Sequence, residues 1–297
     1  MHTNVKTALG IFLFFFFGFL TLWDISGNYS SSFKKIDDLV TQLSFFNPEL
    51  VALVFMPLLV ATGWRVWSGE SHWSSVWFNA GVPLGVIASS ISLVNLLMIN
   101  LGLEQARMYI GESLLAIFYG GIVSFIGYIN LGNVYKQRKH RRQPNIGKVF
   151  VLLLIYSLLG VSLHFSGGFS AFIYLPAITI IAAAVSAFLL INRDDSKSVC
   201  QLTCEAMVMA SLASVMIAVI SYNFYQGTLQ LTIPAIVLGI LGPLYCSFCI
   251  FLCATFYSDK DLRATNFGRI NWHLLEIYSL WILMCLAPKS LLEMGIG

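Results

Sequence analysis

Apolar residues in this chain come in long unbroken runs, without the two-residue or 3.6-residue alternation of a half-buried strand or surface helix. Nine runs, each about 20 residues and so long enough to cross a ~30 Å hydrocarbon core as a helix, stand at 8–24, 48–67, 76–99, 110–132, 148–166, 169–191, 203–224, 230–257 and 272–288. They predict an all-α polytopic membrane protein with about nine transmembrane helices. The longest polar stretches, 26–47 and 136–148, are too short to build a soluble domain. The first run has Lys6 ahead of Phe12 to Phe17, as a signal peptide would, but no small-x-small cleavage site follows it, and it is read as the first helix.

The pattern also repeats. Ser26-Gly27-Asn28-Tyr29-Ser30 returns as Ser166-Gly167-Gly168-Phe169-Ser170, each followed by a run with a proline in a matching frame, Val54-Phe55-Met56-Pro57 against Ile173-Tyr174-Leu175-Pro176. Asn100 matches Asn223, Ile110-Gly111 matches Ile233-Pro234, and Ser124-Phe125 matches Ser247-Phe248. The expected organisation is a four-helix module at 1–135, a basic linker at 136–147, a second and degenerate four-helix module at 148–258, and a loop with a ninth helix at 259–297. Four helices return the chain to its starting side, so the two modules are parallel repeats about an axis along the membrane normal.

Composition and charge sharpen this picture. Hydrophobic residues make up 58% and charged residues 10% of the 297, against about 25% charged in a soluble domain, and mean hydropathy is +0.79. With the N-terminus inside, the inner side collects Lys6, Arg65, Lys136, Arg138, Lys139, Arg141, Arg142, Lys148, Arg193, Lys197, Lys260, Arg263 and Arg269, and the outer side only Lys34, Lys35, Arg107 and Lys289. Lys and Arg are retained on the cytoplasmic side, so this asymmetry predicts a cytoplasmic N-terminus and an outer C-terminus. The charge run at 136–142 reads as a cytoplasmic linker that fixes topology, with contact to anionic lipid headgroups as the second reading; no aromatic residue interleaves it, which argues against nucleic acid.

Two neighbouring runs carry the densest signal. Gly81, Gly85 and Ser89 recur every fourth residue and continue into Ser92 and Asn95; the next run shows the same habit in Ser113, Ala116, Gly120, Ser124 and Gly127. Small residues at this spacing let helix backbones approach closely, and the same ridge could line a polar path. The stretch from Pro83 to Leu97, a short outer loop, and then Ile110-Gly111-Glu112-Ser113-Leu114-Leu115-Ala116-Ile117-Phe118-Tyr119-Gly120-Gly121 resemble the third and fourth helices of the MotA/TolQ/ExbB family. The paired helices that open each half, with their Ser-Gly turn, look like its flagellar-stator branch.

This resemblance implies a bacterial inner-membrane subunit that forms an oligomeric ring around a single-span partner whose aspartate takes up protons or sodium ions. Pro83 corresponds to the family's proline at the mouth of the third helix, and Gly85 and Gly120 to its packing glycines. Two departures stand beside these matches. The channel-lining threonine positions fall on Ala116 and Ile117, and on Gly239 and Ile240 in the second copy. The large cytoplasmic domain of stators is reduced to 66–75 and 192–203, which argues against torque on a rotor. The first copy keeps the ridge and is expected to be the functional one.

Ionisable groups at bilayer depth are functional candidates. Glu112 is expected to open the fourth helix, where the helix dipole favours a carboxylate or where an ion could enter. Glu276 is expected about a turn into the last helix, either paired with His273 or acting as a partner-like carboxylate in cis. Asp24, Glu205 and His164 fall at expected helix ends. The ion-pathway or helix-packing candidates are therefore Pro83, Gly85, Ser89, Ser92, Asn95, Glu112, Gly120 and Glu276.

The six cysteines show no paired CxxC at zinc-finger spacing; Cys246, Cys249 and Cys253 share a helical face and read as small buried hydrophobes. No metal or cofactor is expected, and no nucleophile–base pair or phosphate loop points to an enzyme. The readings carried forward are an ion-conducting or energy-transducing subunit, a non-conducting assembly protein on the same fold, and a parallel-repeat transporter of small solutes.

Overall fold

A computed structural model describes residues 48–68, 73–98, 103–131, 145–165, 172–191, 198–224, 229–257, 262 and 265–293. Among these it contains eight α-helices and no strand: α1 Pro48–Trp67, α2 Trp73–Met98, α3 Leu103–Leu131, α4 Asn145–Phe165, α5 Leu175–Ile191, α6 Val199–Phe224, α7 Leu229–Phe256 and α8 Phe267–Glu293. In lipid a segment must satisfy its backbone hydrogen bonds internally, which is why apolar runs of this length become helices. Segments within α1, α2, α3, α6 and α7 are long and apolar enough to span a membrane. The protein is thus a helical protein of membrane type.

Among the described residues this count supports the helical membrane class and reaches five spans, not the nine expected. The first run, at 8–24, lies outside the described residues, as do the loop at 26–47, Asp24 and the linker at 136–144. The run at 169–191 begins its helix only at Leu175 and is 17 residues long. The physical reason is a tether: the Tyr174 amide donates to the Tyr245 hydroxyl on α7 at 3.2 Å, and that hydroxyl donates in turn to the Phe172 carbonyl. These bonds hold 172–174 off the helix, and Pro176 becomes its second residue, where a missing N–H costs nothing. Pro57, its counterpart by sequence, sits deep inside α1. The shared proline frame therefore does not produce a shared proline geometry.

Helix α2 is the centre of the bundle. Of its membrane-length window 89% is buried, against 28% for α3, because α2 is packed by α1, α3, α7 and α8 at once. Helices α1, α2 and α3 touch one another, and so do α5, α6 and α7. The two groups join asymmetrically, for α2 lies along α7 while α3 and α6 make no comparable contact among the described residues. Outward positions are large and apolar, including Met56, Leu59, Phe118, Phe125, Phe150, Leu153, Met216 and Ile220.

One end of the bundle gathers the last turns of α1, α3 and α7 with the first turns of α2, α6 and α8. Aromatic pairs mark it: Trp64–Trp67 at 5.6 Å, Trp73–Trp77 at 5.2 Å and Phe78–Tyr128 at 5.6 Å. Trp67, Trp272 and Tyr128 are largely exposed there, as in the aromatic belt that anchors helices at a membrane surface.

Candidate functional site

The two ridges of small residues face each other along the α2–α3 seam. A methyl group on Gly120 would lie 2.6 Å from the Gly81 carbonyl oxygen and 2.7 Å from Gly85 Cα; one on Gly85 would lie 3.0 Å from the Ala116 carbonyl oxygen. Gly127 would meet the Phe78 amide nitrogen at 2.3 Å. The backbones themselves are in contact, and only glycine allows that separation. Ser89 and Ser113, both fully buried, close the seam with a 2.6 Å hydroxyl–hydroxyl bond. Ser92 turns back to the Ala88 carbonyl at 3.3 Å. Asn95 falls on the last turns of α2, with its side chain outside the described residues.

Pro83 lies ten residues inside α2 rather than at its mouth. The apolar run from 76 already encloses Pro83, and Trp73 to Ser75 add one further turn ahead of it. Lacking an N–H, Pro83 cannot close the turn onto the Asn79 carbonyl, and in that same turn the Phe78 carbonyl accepts two bonds from other helices. Ser124 Oγ of α3 donates to it at 2.7 Å and Asn271 Nδ2 of α8 at 2.8 Å. A second tie joins Ser90 on α2 to the Tyr278 hydroxyl on α8 at 2.8 Å. The last helix is thereby fastened to the central one at two depths.

The second half is wired differently. Gly239 and Gly242 of α7 receive side chains instead of backbone: a methyl group at Gly239 would strike the Trp281 ring at 2.3 Å, and one at Gly242 the Ser214 Oγ at 2.0 Å. Ser211 Oγ, Ser247 Oγ and Trp281 Nε1 are buried with no hydrogen-bond partner, as is Asn271 Oδ1. Ala116 and Ile240 are buried and Ile117 is half-buried.

The carboxylates are placed away from both seams or differently than their sequence positions imply. Helix α3 starts at Leu103, nine residues before Glu112, so Glu112 is not in a first turn and the dipole account fails. It is half-buried where the membrane-length segment of α3 begins. Glu276 lies in the third turn of α8, exposed, with its Oε2 3.1 Å from His273 Nδ1; Arg269 Nε in turn donates to His273 Nε2 at 3.2 Å. Glu205 is in the second turn of α6 and accepts from Gln201 Nε2 at 2.9 Å. His164 lies at the end of α4, its side chain outside the described residues.

Two features escaped the sequence reading. Arg65 is fully buried and donates to the Tyr257 carbonyl at the end of α7, a contact 192 residues apart that no local pattern signals. Cys200 and Cys204 of α6 meet Cys253 of α7, all three buried, with every sulfur within 4.8 Å of the others. Cys253 therefore turns to α6, whereas Cys246 occupies a separate apolar niche with Ile181 and Ala210. The usable signal was the four-residue spacing of Cys200 and Cys204, which puts both on one helical face.

Comparison with family models, curated proteins and solved structures gives no match for this chain.

Proposed function

We propose that this chain is a non-enzymatic subunit of a bacterial inner-membrane assembly, built from two MotA/TolQ/ExbB-like four-helix modules in tandem and packed to hold a single-span partner rather than to conduct ions. The excess of Lys and Arg in the connections assigned to one side supports a cytoplasmic N-terminus. One observation carries the reading: the ridge that could have lined a conduction path is consumed by backbone contact along α2 and α3. Its hydroxyls are engaged, Ser89 with Ser113 and Ser124 with the Phe78 carbonyl. Relay of a proton needs groups free to exchange partners, and a seam this close leaves no width for water.

A second reading, ion conduction, rests on the opposite half. Ser211 and Ser247 are buried hydroxyls without a partner on the adjacent helices α6 and α7, and such atoms favour hydration. The experiment that separates the two is reconstitution of the purified chain in liposomes, alone and with any co-purifying single-span protein. The assembly reading expects a partner and no proton or sodium flux. Flux that Ser247→Ala removes would overturn it in favour of conduction through the second half.

A further inference from the structure

We propose that Cys200, Cys204 and Cys253 form a three-coordinate binding site for a soft monovalent metal ion, copper(I), at the end of the α6–α7 hairpin. Three buried thiols could merely fill space, as Cys246 does among Ile181 and Ala210. Packing does not require all three sulfurs to meet, yet each Sγ lies within 4.8 Å of the other two. An ion bonded to three thiolates at about 2.3 Å in a plane sets them about 4 Å apart, a contraction that small rotations of Cys side chains supply. The cysteines come from two helices that already pack tightly against each other, so no loop has to fold around the ion.

The donor set selects the metal. Among the described residues the group holds three sulfurs and no histidine or carboxylate. Zinc is almost always four-coordinate and would lack a ligand here, whereas a purely soft thiolate set suits copper(I). Each thiol that binds as thiolate releases one proton to solvent, so a site with three thiolates and one copper(I) carries two net negative charges. The start of α6 supplies positive potential. Cys200 is the second residue of α6, whose start is capped by Ser198 accepting the Gln201 amide, and the amide dipoles of a helix start favour a thiolate. The buried Arg65 guanidinium donates to the Tyr257 carbonyl, and the Tyr257 amide bonds the Cys253 carbonyl, so the turn of α7 that carries Cys253 is fastened to α1. The cluster also lies within two turns of the bundle end, so an ion reaches it without crossing the apolar core.

The full chain, purified in detergent under reducing and anaerobic conditions, is titrated with copper(I) against a competing chelator, and X-ray absorption counts the neighbours of the metal. The expected result is one copper per chain with three sulfurs and no nitrogen or oxygen. Serine at 200, 204 or 253 is expected to weaken binding by at least about a hundredfold, the upper end of what removing an outer-shell partner does; Cys249→Ser, outside the group, is expected to leave it unchanged. Should a serine variant fail to fold by circular dichroism, the wild-type absorption spectrum decides alone. Absence of stoichiometric copper(I), nitrogen or oxygen neighbours, affinity retained in a folded Cys204→Ser, or preferential binding of four-coordinate zinc would each overturn the assignment.

Discussion

The two hairpins of the bundle, α2–α3 and α6–α7, solve the same packing problem with different atoms. In the first, Gly81, Gly85, Gly120 and Gly127 bring backbone against backbone, and the hydroxyls pair across the seam or bond a carbonyl. In the second, the glycines are sockets, Gly242 for Ser214 and Gly239 for Trp281, while Ser211 and Ser247 stay unsatisfied. Helices in lipid gain nothing from the hydrophobic effect against one another, so van der Waals fit and hydrogen bonds decide their affinity. A seam of main-chain atoms is rigid and admits no substitute. Sockets can be refilled, so the second hairpin is free to change its chemistry, and there the three thiols have collected.

The sharpest way to break this comparison is to add volume at each kind of glycine. Gly120→Val places its first carbon 2.6 Å from a main-chain oxygen that cannot rotate away; the hairpin has to separate, at a cost of about 3 kcal/mol or more. Thermal melting in micelles should show loss of the cooperative transition, and a wild-type melting curve would refute the backbone seam. Gly242→Ala should also destabilise, since its methyl would sit 2.5 Å from Ser214 Cβ. Here, however, the obstacle is a side chain, and adding Ser214→Gly should recover most of the loss. If the double variant melts no higher than Gly242→Ala alone, the socket description of α7 fails.

How much of this was legible beforehand follows from the range of each interaction. Helices could be read from runs because lipid leaves a lone segment no other way to satisfy its backbone, but their ends could not: Trp73 and Leu103 start α2 and α3 well ahead of the apolar stretches. The earlier start at Leu103 moved Glu112 out of the first turn, whereas Pro83 lay inside its apolar run from the outset and was set at a helix mouth only by the resemblance. The glycine ridges were visible because four-residue spacing is a local property. The ties of α8 to α2, Ser90 to Tyr278 and Phe78 to Asn271, span 188 and 193 residues, and nothing in either neighbourhood marks them. The cysteines show both cases at once: the 200/204 pair is local, while Cys253 was grouped with Cys246 and Cys249 because its partner across the hairpin was out of sight.

A smaller and more exact test uses the paired serines. The repeat expected from the sequence pairs Ser124 with Ser247, yet Ser124 donates to Phe78 across the seam at 2.7 Å and Ser247 Oγ has no partner. Ser124→Ala should cost about 1 kcal/mol, because it removes the bond to the Phe78 carbonyl together with the long 3.4 Å bond that Ser124 Oγ accepts from Asn271 Nδ2, which keeps its own bond to Phe78. Ser247→Ala should be neutral or stabilising, since it removes a buried hydroxyl that gains nothing by folding. Equal losses at the two positions, read from denaturation in matched micelles, would mean that Ser247 is hydrogen-bonded after all and that the halves differ less than their contacts indicate.

The smallest effect is expected on α8, which belongs to neither hairpin. Glu276 is 52% exposed in its side chain and His273 is 40% exposed, so their pair is screened by solvent and contributes about 0–1 kcal/mol. Glu276→Gln should leave the melting curve within error of wild type. It should also leave the packing of α8 intact, because the helix is held by Tyr278 and Asn271 on its buried face. A carboxylate acting in cis for ion transfer predicts the opposite split, with stability unchanged and flux abolished. Measuring both on one preparation makes Glu276 informative whichever half carries the activity: an inert substitution confines the interesting chemistry to the hairpins, and a dead one moves it to the helix between them.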